Sequence, residues 1–580
     1  FVMVLFAGAC FLVPTLTSVM QQSQPAQLAL PPLPAKYRQI RRRKSSRHMP
    51  VLCGADDQVY DVVVIGSGIG GLSAAACLAS TGLKVCCCES HDTAGGAAHE
   101  WTVKGFSFES GPSLYAGLSL ARSPNPLKHT FQIIGEEPEW LTYDRWGTYL
   151  PEGPLLHDAV GAEAFYQKLE ACGGPGACEQ WERLMRRVTP LGEAIFALPA
   201  AAVRGDAGVV LTMGRYAPAL ARVVAAGGSS LQEPFDRILE EEGVTDPFIR
   251  NWLDMICFLL QGATTKDAPT TLMAYMLSDF YRPGVVLDFP KGGTKSIVDA
   301  LVRGINKHVG CELLLKTHIQ SLVIEDGRAT GVQTKDGRVI RARKAVVSNA
   351  DLWNTRQMVD STTAPDLVAE LDKRIARLER CDSFLHLHLG IDASGLPTKP
   401  SEAFPAQWAS LDSWDKGVDA PRNLVLVSMA SLLDPSLAPE GCHVIHAYTP
   451  ATEPYEGWAG MDRMSTEYRR KKEEAAEVLW KAIEKQIPDV RKRARVALVG
   501  TPLTHERFLR RNGGSYGPFL KATDGMLDGQ RTCLPGFLCC GDSTFPGIGM
   551  PAVAASGMIT ANTIVSLLEH WKMLDKIQLP

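Results

Sequence analysis

The residues of this chain whose types and spacing carry the clearest chemistry are glycines and one acid. Gly66, Gly68 and Gly71 stand at GxGxxG spacing, with Gly70 between them, and Glu89 follows 18 residues after Gly71 (89 − 71). Glycines so spaced allow a tight turn, a close approach of backbone to a pyrophosphate, and close packing of a helix on a strand. An acid at that distance accepts hydrogen bonds from a ribose diol. The chemistry is therefore the holding of a dinucleotide. A second pair, Gly95 and Gly96, lies just beyond the acid, and a second glycine-rich stretch with Gly541, Asp542, Gly547 and Gly549 lies near the other end of the chain.

The titratable candidates are fewer. His99 stands between the glycine pair and a following strand, and Glu109 stands at the end of that strand. His386 and His388 alternate along SFLHLHLGID, which places them on one face of a strand. Two His at that spacing bind a metal only with a third ligand, and no convincing third ligand is evident, so no metal is expected. No side chain is assigned as catalytic; His99, Glu109, His386 and His388 are the candidates.

The elements that must position these residues follow from periodicity. Val62 to Ile65 form an apolar run of the kind a central parallel strand shows, and a helix from about Gly70 to Ser80 follows, its N-terminus facing the pyrophosphate. Lys84 to Cys88 reads as the second strand. Thr102 to Phe108 alternates, and so predicts one strand ending in the Gly111-Pro112 turn. From Leu118 to Leu287 the signals are helical or irregular. Within that region Ala194 to Ala226, interrupted by Arg204, Arg215 and Arg222, suits a substrate tunnel, a membrane interface or an ordinary buried helix pair. Asn251 to Gly262 suits a core or pocket wall. Ile297, Ala300, Leu301 and Ile305 recur at helical spacing. Short strands follow at Leu313 to Leu315, Ile319 to Glu325, Thr330 to Thr334, Val339 to Ala342 and Ala345 to Val347, with Asp326-Gly327 and Asp336-Gly337 as hairpin turns. Glu467 to Lys485 predicts a helix with Leu479 and Ile483 on its buried side. A final strand leads into the Gly541-Asp542 turn, and a helix starting near Met550 offers N–H donors to an electron-rich group.

Composition narrows the class. The chain has 580 residues, 45% hydrophobic and 21% charged, with a net charge of -3. That is ordinary globular composition, and it offers no concentrated basic face for nucleic acid. The 15 cysteines, three of them consecutive at Cys86 to Cys88, read as buried thiols in a reducing compartment.

The Gly95-Gly96 pair after Glu89 resembles the FAD fingerprint of the flavoprotein family that includes amine oxidases and carotenoid desaturases. Ala97 stands where many members have a basic residue, and Glu109 where the corresponding residue is usually Asp. The blocks GTPLTHERFLRRNGGSYGP (500–518) and FLCCGDSTFPGIGMPAVAASGM (537–558) are most similar to the carotenoid (prolycopene-type) isomerases of plants and algae. The resemblance implies an α/β fold: a Rossmann-type FAD-binding domain, discontinuous in sequence (56–117, 288–352, 529–580), with a mixed-sheet and helical substrate domain (118–287, 353–528). It implies that the backbone at Ile319 holds adenine and that the turn containing Asn349 lies close to the cofactor. Asp542 would bind the ribityl chain, and the helix at Gly549 and Met550 would point at the flavin pyrimidine ring. It further implies redox-neutral conversion of poly-cis carotenes to the all-trans form with reduced flavin and a long apolar polyene as substrate; peripheral membrane association is expected from the Ala194 to Ala226 stretch and its arginines. A desaturase, a retinol-like polyene saturase and a non-catalytic carotenoid-binding subunit share the same motifs and stay open.

Residues 1–55 read as a presequence. Phe1 to Val13 suits a signal-peptide core, and Lys36 to Arg47 is basic with no acid before Asp56. The combination looks like the bipartite presequence of proteins sent to complex plastids; a membrane anchor with a basic linker is the alternative.

Overall fold

The computed structural model describes residues 59–580 apart from 112–113, 154–155 and 160. The expected presequence lies outside the described residues.

Two seven-stranded sheets organise the chain. In the first, Val59–Ile65 lies between Val85–Cys88 and Val339–Ser348, parallel to both. Glu312–Leu314 extends one side and Phe537–Cys539 pairs in parallel with Val339–Ser348, so the sheet joins three stretches far apart in sequence. The antiparallel strands Ile319–Glu325 and Arg328–Thr334 complete it. The central strands are buried on both faces, as parallel strands covered by helices must be: Val62, Val63 and Val64 have no exposed surface. The Ile69–Ala79 helix covers one face with every residue buried. Its small residues let the Met550–Ile564 helix lie against it, where the Cβ position at Gly557 is only 2.3 Å from the Gly70 carbonyl oxygen. The consecutive thiols Cys86, Cys87 and Cys88 are buried in this sheet.

Two strands expected at Val339 to Ala342 and Ala345 to Val347 are a single strand, Val339–Ser348. Its pairing with Val59–Ile65 steps from Tyr60 opposite Ala342 to Val62 opposite Ala345. The bulge puts Arg343 and Lys344 outward, so a charged pair interrupts the apolar pattern without ending the strand.

The second sheet runs Ala494–Gly500, Ser383–Asp392, Cys442–Glu453, Leu424–Ser428, Gln407–Leu411, Arg145–Tyr149, Leu156–Ala159. It is antiparallel except where Gln407–Leu411 pairs in parallel with Arg145–Tyr149. The region from Leu118 to Leu287 thus contributes two strands here, and a third, Trp140–Tyr143, pairs with Leu287–Pro290. The single strand expected over Thr102 to Phe108 is a hairpin, Glu100–Val103 against Phe106–Glu109. Lys104 and Gly105 turn it, with φ of 52° and 84°, the positive values that a tight two-residue hairpin loop demands.

Ala194 to Ala226 carries two short helices rather than a long pair, and its first arginine, Arg204, is buried. It passes from the Ala177–Phe196 helix through a tight turn at Ala200–Ala202 to the short helices Gly208–Gly214 and Ala217–Ala225. Asn562 Nδ2 donates to the carbonyls of Ala201 (2.7 Å) and Val203 (2.9 Å), and Gly205 N donates to Thr563 Oγ1 (2.8 Å), which ties the segment to the Met550–Ile564 helix. Among the described residues no helix is long and apolar enough to cross a membrane.

Candidate functional site

The ends of the three parallel strands Val59–Ile65, Val339–Ser348 and Phe537–Cys539 open on a cavity of about 820 Å³. It is lined by Gly66, Gly68, Gly70, Glu89, Gly95, Gly96, Ile319, Asn349, Gly541, Asp542, Gly549 and Met550. All the residues proposed from sequence for the cofactor are therefore brought to one space, except Gly71. Gly71 lies behind the turn, where a Cβ would come 2.1 Å from the Gly66 carbonyl oxygen.

The cradle is built by backbone. Gly95 bridges Gly68 in parallel, and its N–H donates to the Ser67 carbonyl at 3.0 Å, so the glycine pair closes over the glycine turn. A Cβ at Gly96 would lie 3.0 Å from the Gly68 Cα, and one at Gly70 would meet Asn349 Oδ1 at 2.6 Å. Glu89 is 8% exposed and already braces this turn. Its Oε2 accepts from Ser67 N (2.9 Å) and Ser67 Oγ (2.6 Å), and its Oε1 accepts from His91 N (2.8 Å). The Ile69–Ala79 and Met550–Ile564 helices both direct their N-termini at the cavity, with first-turn N–H groups that have no intrahelical acceptor. A side chain at Gly70, Gly95 or Gly96 would collide with protein atoms, so this part of the cavity is lined by bare backbone.

Asp542 does not stand alone in this cavity. Arg511, which sequence reasoning passed over, pairs with its carboxylate and also donates to the carbonyls of Ser515 (2.6 Å) and Tyr516 (2.8 Å). The arginine fixes the loop that carries Tyr516 into the cavity wall.

The titratable candidates separate. His99 and His386 line the cavity; Glu109 and His388 do not. His99 is turned by its own neighbourhood, with Nδ1 at 2.8 Å from the Gly96 carbonyl oxygen and 3.0 Å from Ser110 Oγ, and burial pushes its pKa down. Glu109 accepts from Thr294 N (2.5 Å) and Thr294 Oγ1 (2.6 Å), at the start of the Thr294–Asn306 helix. Its carboxylate thus ties the hairpin to a helix N-terminus, although burial raises its pKa.

The expectation of no metal is corrected here. His386 and His388 do share one face of Ser383–Asp392, and His446 of the neighbouring strand stands directly opposite His388. One ring nitrogen from each of the three lies within 4.8 Å of the others. The third ligand escaped sequence reading because it is 58 residues away (446 − 388) and only strand register brings it there. His505 adds a fourth ring: His386 Nδ1 lies 2.8 Å from His446 Nε2, and His386 Nε2 lies 2.5 Å from His505 Nε2. Burial holds all four imidazoles on the neutral side, His388 near pKa 4 and His505 near 3. Phe384, Tyr448 and Tyr516 continue this wall as apolar and aromatic surface.

A family model described as flavin containing amine oxidoreductase matches residues 69–565. The chain belongs to that family. Prolycopene isomerase, chloroplastic, from Daucus carota is 28% identical to this flavoprotein over 531 residues, 87% of this chain and 80% of that one. Phytoene desaturase (lycopene-forming) from Pseudescherichia vulneris is 26% identical over 534 residues, 87% of this chain and 99% of that one. Among solved structures, an oxidoreductase from Methanosarcina mazei aligns with a TM-score of 0.56 at 18% identity, over 86% of this chain and 98% of that chain. That likeness shows a shared fold: a discontinuous mixed sheet with flanking helices. The flavin family and the glycine-lined cradle point to FAD.

Proposed function

We propose that this flavoprotein isomerises poly-cis carotenes of the prolycopene type to the all-trans form, without net oxidation or reduction. The observation that carries the reading is one continuous cavity. The nucleotide cradle at Gly66 to Gly70 and Gly95-Gly96 shares it with an apolar wall of Leu259, Leu260, Leu272, Met276 and Leu426. A long polyene has no charged handle, so a wall of this kind positions it by shape and excludes water. When bound, the flavin would supply the electron-transfer chemistry that a hydrocarbon cannot obtain from side chains.

In this reading Gly66, Gly68, Gly70, Gly95 and Gly96 hold the diphosphate, Glu89 the ribose, and the backbone at Ile319 the adenine. Asp542, oriented by Arg511, holds the ribityl chain, and the N-terminus at Met550 faces the flavin ring. His99 and His386 stay neutral at pH 7 and shape the cavity. The likeness to the carrot isomerase supports this assignment and, through its chloroplastic location, a plastid for this chain as well.

The test is an anaerobic assay of purified, flavin-loaded protein, reduced beforehand, with a poly-cis carotene and chromatographic product analysis. The expected result is an all-trans product with unchanged unsaturation. The likeness to a bacterial desaturase favours a second reading, net oxidation or reduction of a polyene on the same fold. Turnover that requires an electron acceptor or donor stoichiometrically would establish it instead. An intact fold that carries no flavin would overturn both in favour of a pigment-binding role.

A further inference from the structure

The histidines of the second sheet form a site that the flavin reading does not use. His386 and His388 stand two residues apart on one strand, and His446 stands opposite His388 on its antiparallel neighbour, so three imidazoles project from one face. They are 4%, 5% and 6% exposed, and one nitrogen from each lies within 4.8 Å of the other two. The far sides of two rings are already engaged. His388 Nε2 lies 2.9 Å from the Glu109 carbonyl oxygen and the ring also meets the Leu498 backbone carbonyl, so with Nε2 as the N–H side Nδ1 must turn from Leu498 to reach an ion. His386 Nε2 lies 2.5 Å from His505 Nε2, which leaves Nδ1 turned toward His446. A metal-bound histidine characteristically hands its other ring N–H to a carbonyl or a similar acceptor. His446 Nδ1 is buried without a hydrogen-bond partner, so that ring can present either nitrogen.

We propose that His386, His388 and His446 bind one divalent first-row transition ion in the wall of the cavity, with His505 as the outer partner of His386. Three neutral imidazoles suit zinc and its neighbours and do not suit calcium or magnesium, which take oxygen ligands. At zinc–nitrogen distances of about 2.0–2.1 Å, tetrahedral ligands lie about 3.3 Å apart. The 2.8 Å approach of His386 to His446 therefore opens slightly, and the wider spacing to His388 closes by rotation of the rings. Three protein nitrogens leave a fourth position for water or a small ligand. The ion joins the Ser383–Asp392 and Cys442–Glu453 strands and fixes His386, which lines the cavity. The proposal is independent of which polyene reaction the flavin performs.

The experiment uses the full chain without a histidine tag. Metal content is measured by mass spectrometry on the protein as purified, and then by titration of chelator-treated protein with zinc and with cobalt. Flavin content and thermal unfolding are followed in the same samples. The expected result is one equivalent of zinc at saturation and a visible cobalt spectrum of tetrahedral type. His446→Gln should reduce binding at least tenfold. His443→Gln should not, because His443 points to the opposite face and is engaged by Ser431 Oγ (2.9 Å) and the Pro397 carbonyl (3.0 Å). Less than a tenth of an equivalent bound by folded wild-type protein overturns the proposal and leaves a hydrogen-bonded imidazole chain. Equal loss in His443→Gln and His446→Gln, with flavin retained, overturns the assignment of ligands.

Discussion

Replacing Gly557 by alanine tests whether the two helices that flank the cradle act as one support. A Cβ there lies 2.3 Å from the Gly70 carbonyl oxygen, 2.9 Å from Ala74 N and 2.9 Å from Ser73 Cβ. The first two of these atoms are backbone, so no rotamer change relieves the clash. The helices must part by roughly 1 Å to reach ordinary contact, and overpacking of this kind costs about 1–3 kcal/mol. With backbone at the closest points the upper end is expected. The same displacement separates the N-termini at Ile69 and Met550, both of which face the cavity. If about half of the strain, roughly 1.5 kcal/mol, is relieved when the cofactor leaves, flavin affinity falls about tenfold. The assay is the flavin-to-protein absorbance ratio after gel filtration, with thermal unfolding in parallel. Gly214→Ala is the control: it ends the Gly208–Gly214 helix with open space at its Cβ, and the substitution should be neutral or stabilise by up to about 1 kcal/mol. Gly557→Ala with wild-type flavin content and unfolding midpoint would refute the reasoning.

Other outcomes follow from single contacts. Glu89→Ala leaves the Ser67 N–H, the Ser67 hydroxyl and the His91 N–H without their acceptor, at about 1–3 kcal/mol for each one that stays buried. Flavin titration should show affinity at least tenfold weaker, and unchanged affinity would remove Glu89 from the cradle. Glu100 has its pKa raised from 4.5 to about 7 by burial and by neighbouring Glu109. Because the folded pKa is the higher one, its contribution to stability is complete below about pH 4.5 and is lost as pH rises through about 7. Glu100→Gln should therefore be more stable than wild type at pH 8 by about 1–2 kcal/mol, after a discount for partial exposure, with the advantage shrinking toward pH 5. Urea unfolding at both pH values checks it, and an advantage that does not vary with pH contradicts the assignment. Mass spectrometry of the native N-terminus tests the presequence expectation, which a mature chain still beginning with the apolar stretch Phe1 to Val13 would contradict.

What was legible in the sequence was what is settled locally. The turn at Gly66 to Gly71 is confined to a few residues, and each glycine there meets a neighbour that the motif itself supplies or that the fold brings to the same point. The α/β class and the joining of distant segments into one sheet came from the family resemblance, carried by Gly95-Gly96 after Glu89 and by the blocks at 500–518 and 537–558. The hairpin at Lys104-Gly105 had a readable signal, a Gly in a two-residue turn, that the longer alternation from Thr102 to Phe108 obscured. The missing pieces of the site depend on register instead. His446 meets His388, and Arg511 meets Asp542, only after strands or loops many residues apart have paired. No periodicity within either segment reports that pairing.

The same distinction bears on function. In the proposed reading the cradle, built from backbone and glycine, would constrain the cofactor without choosing the reaction. The wall opposite is built from the second sheet and from side chains of the helices Pro247–Gln261 and Thr270–Phe280. Phe384, His386 and Tyr448 come from adjacent strands of that sheet and line the cavity together. A change of reaction within this fold is therefore expected to arise on the wall, while the cradle remains as it is. Substitution of His386 should alter product distribution or rate while leaving flavin content unchanged, and substitution of Glu89 should do the reverse. The two variants separate holding the cofactor from directing it.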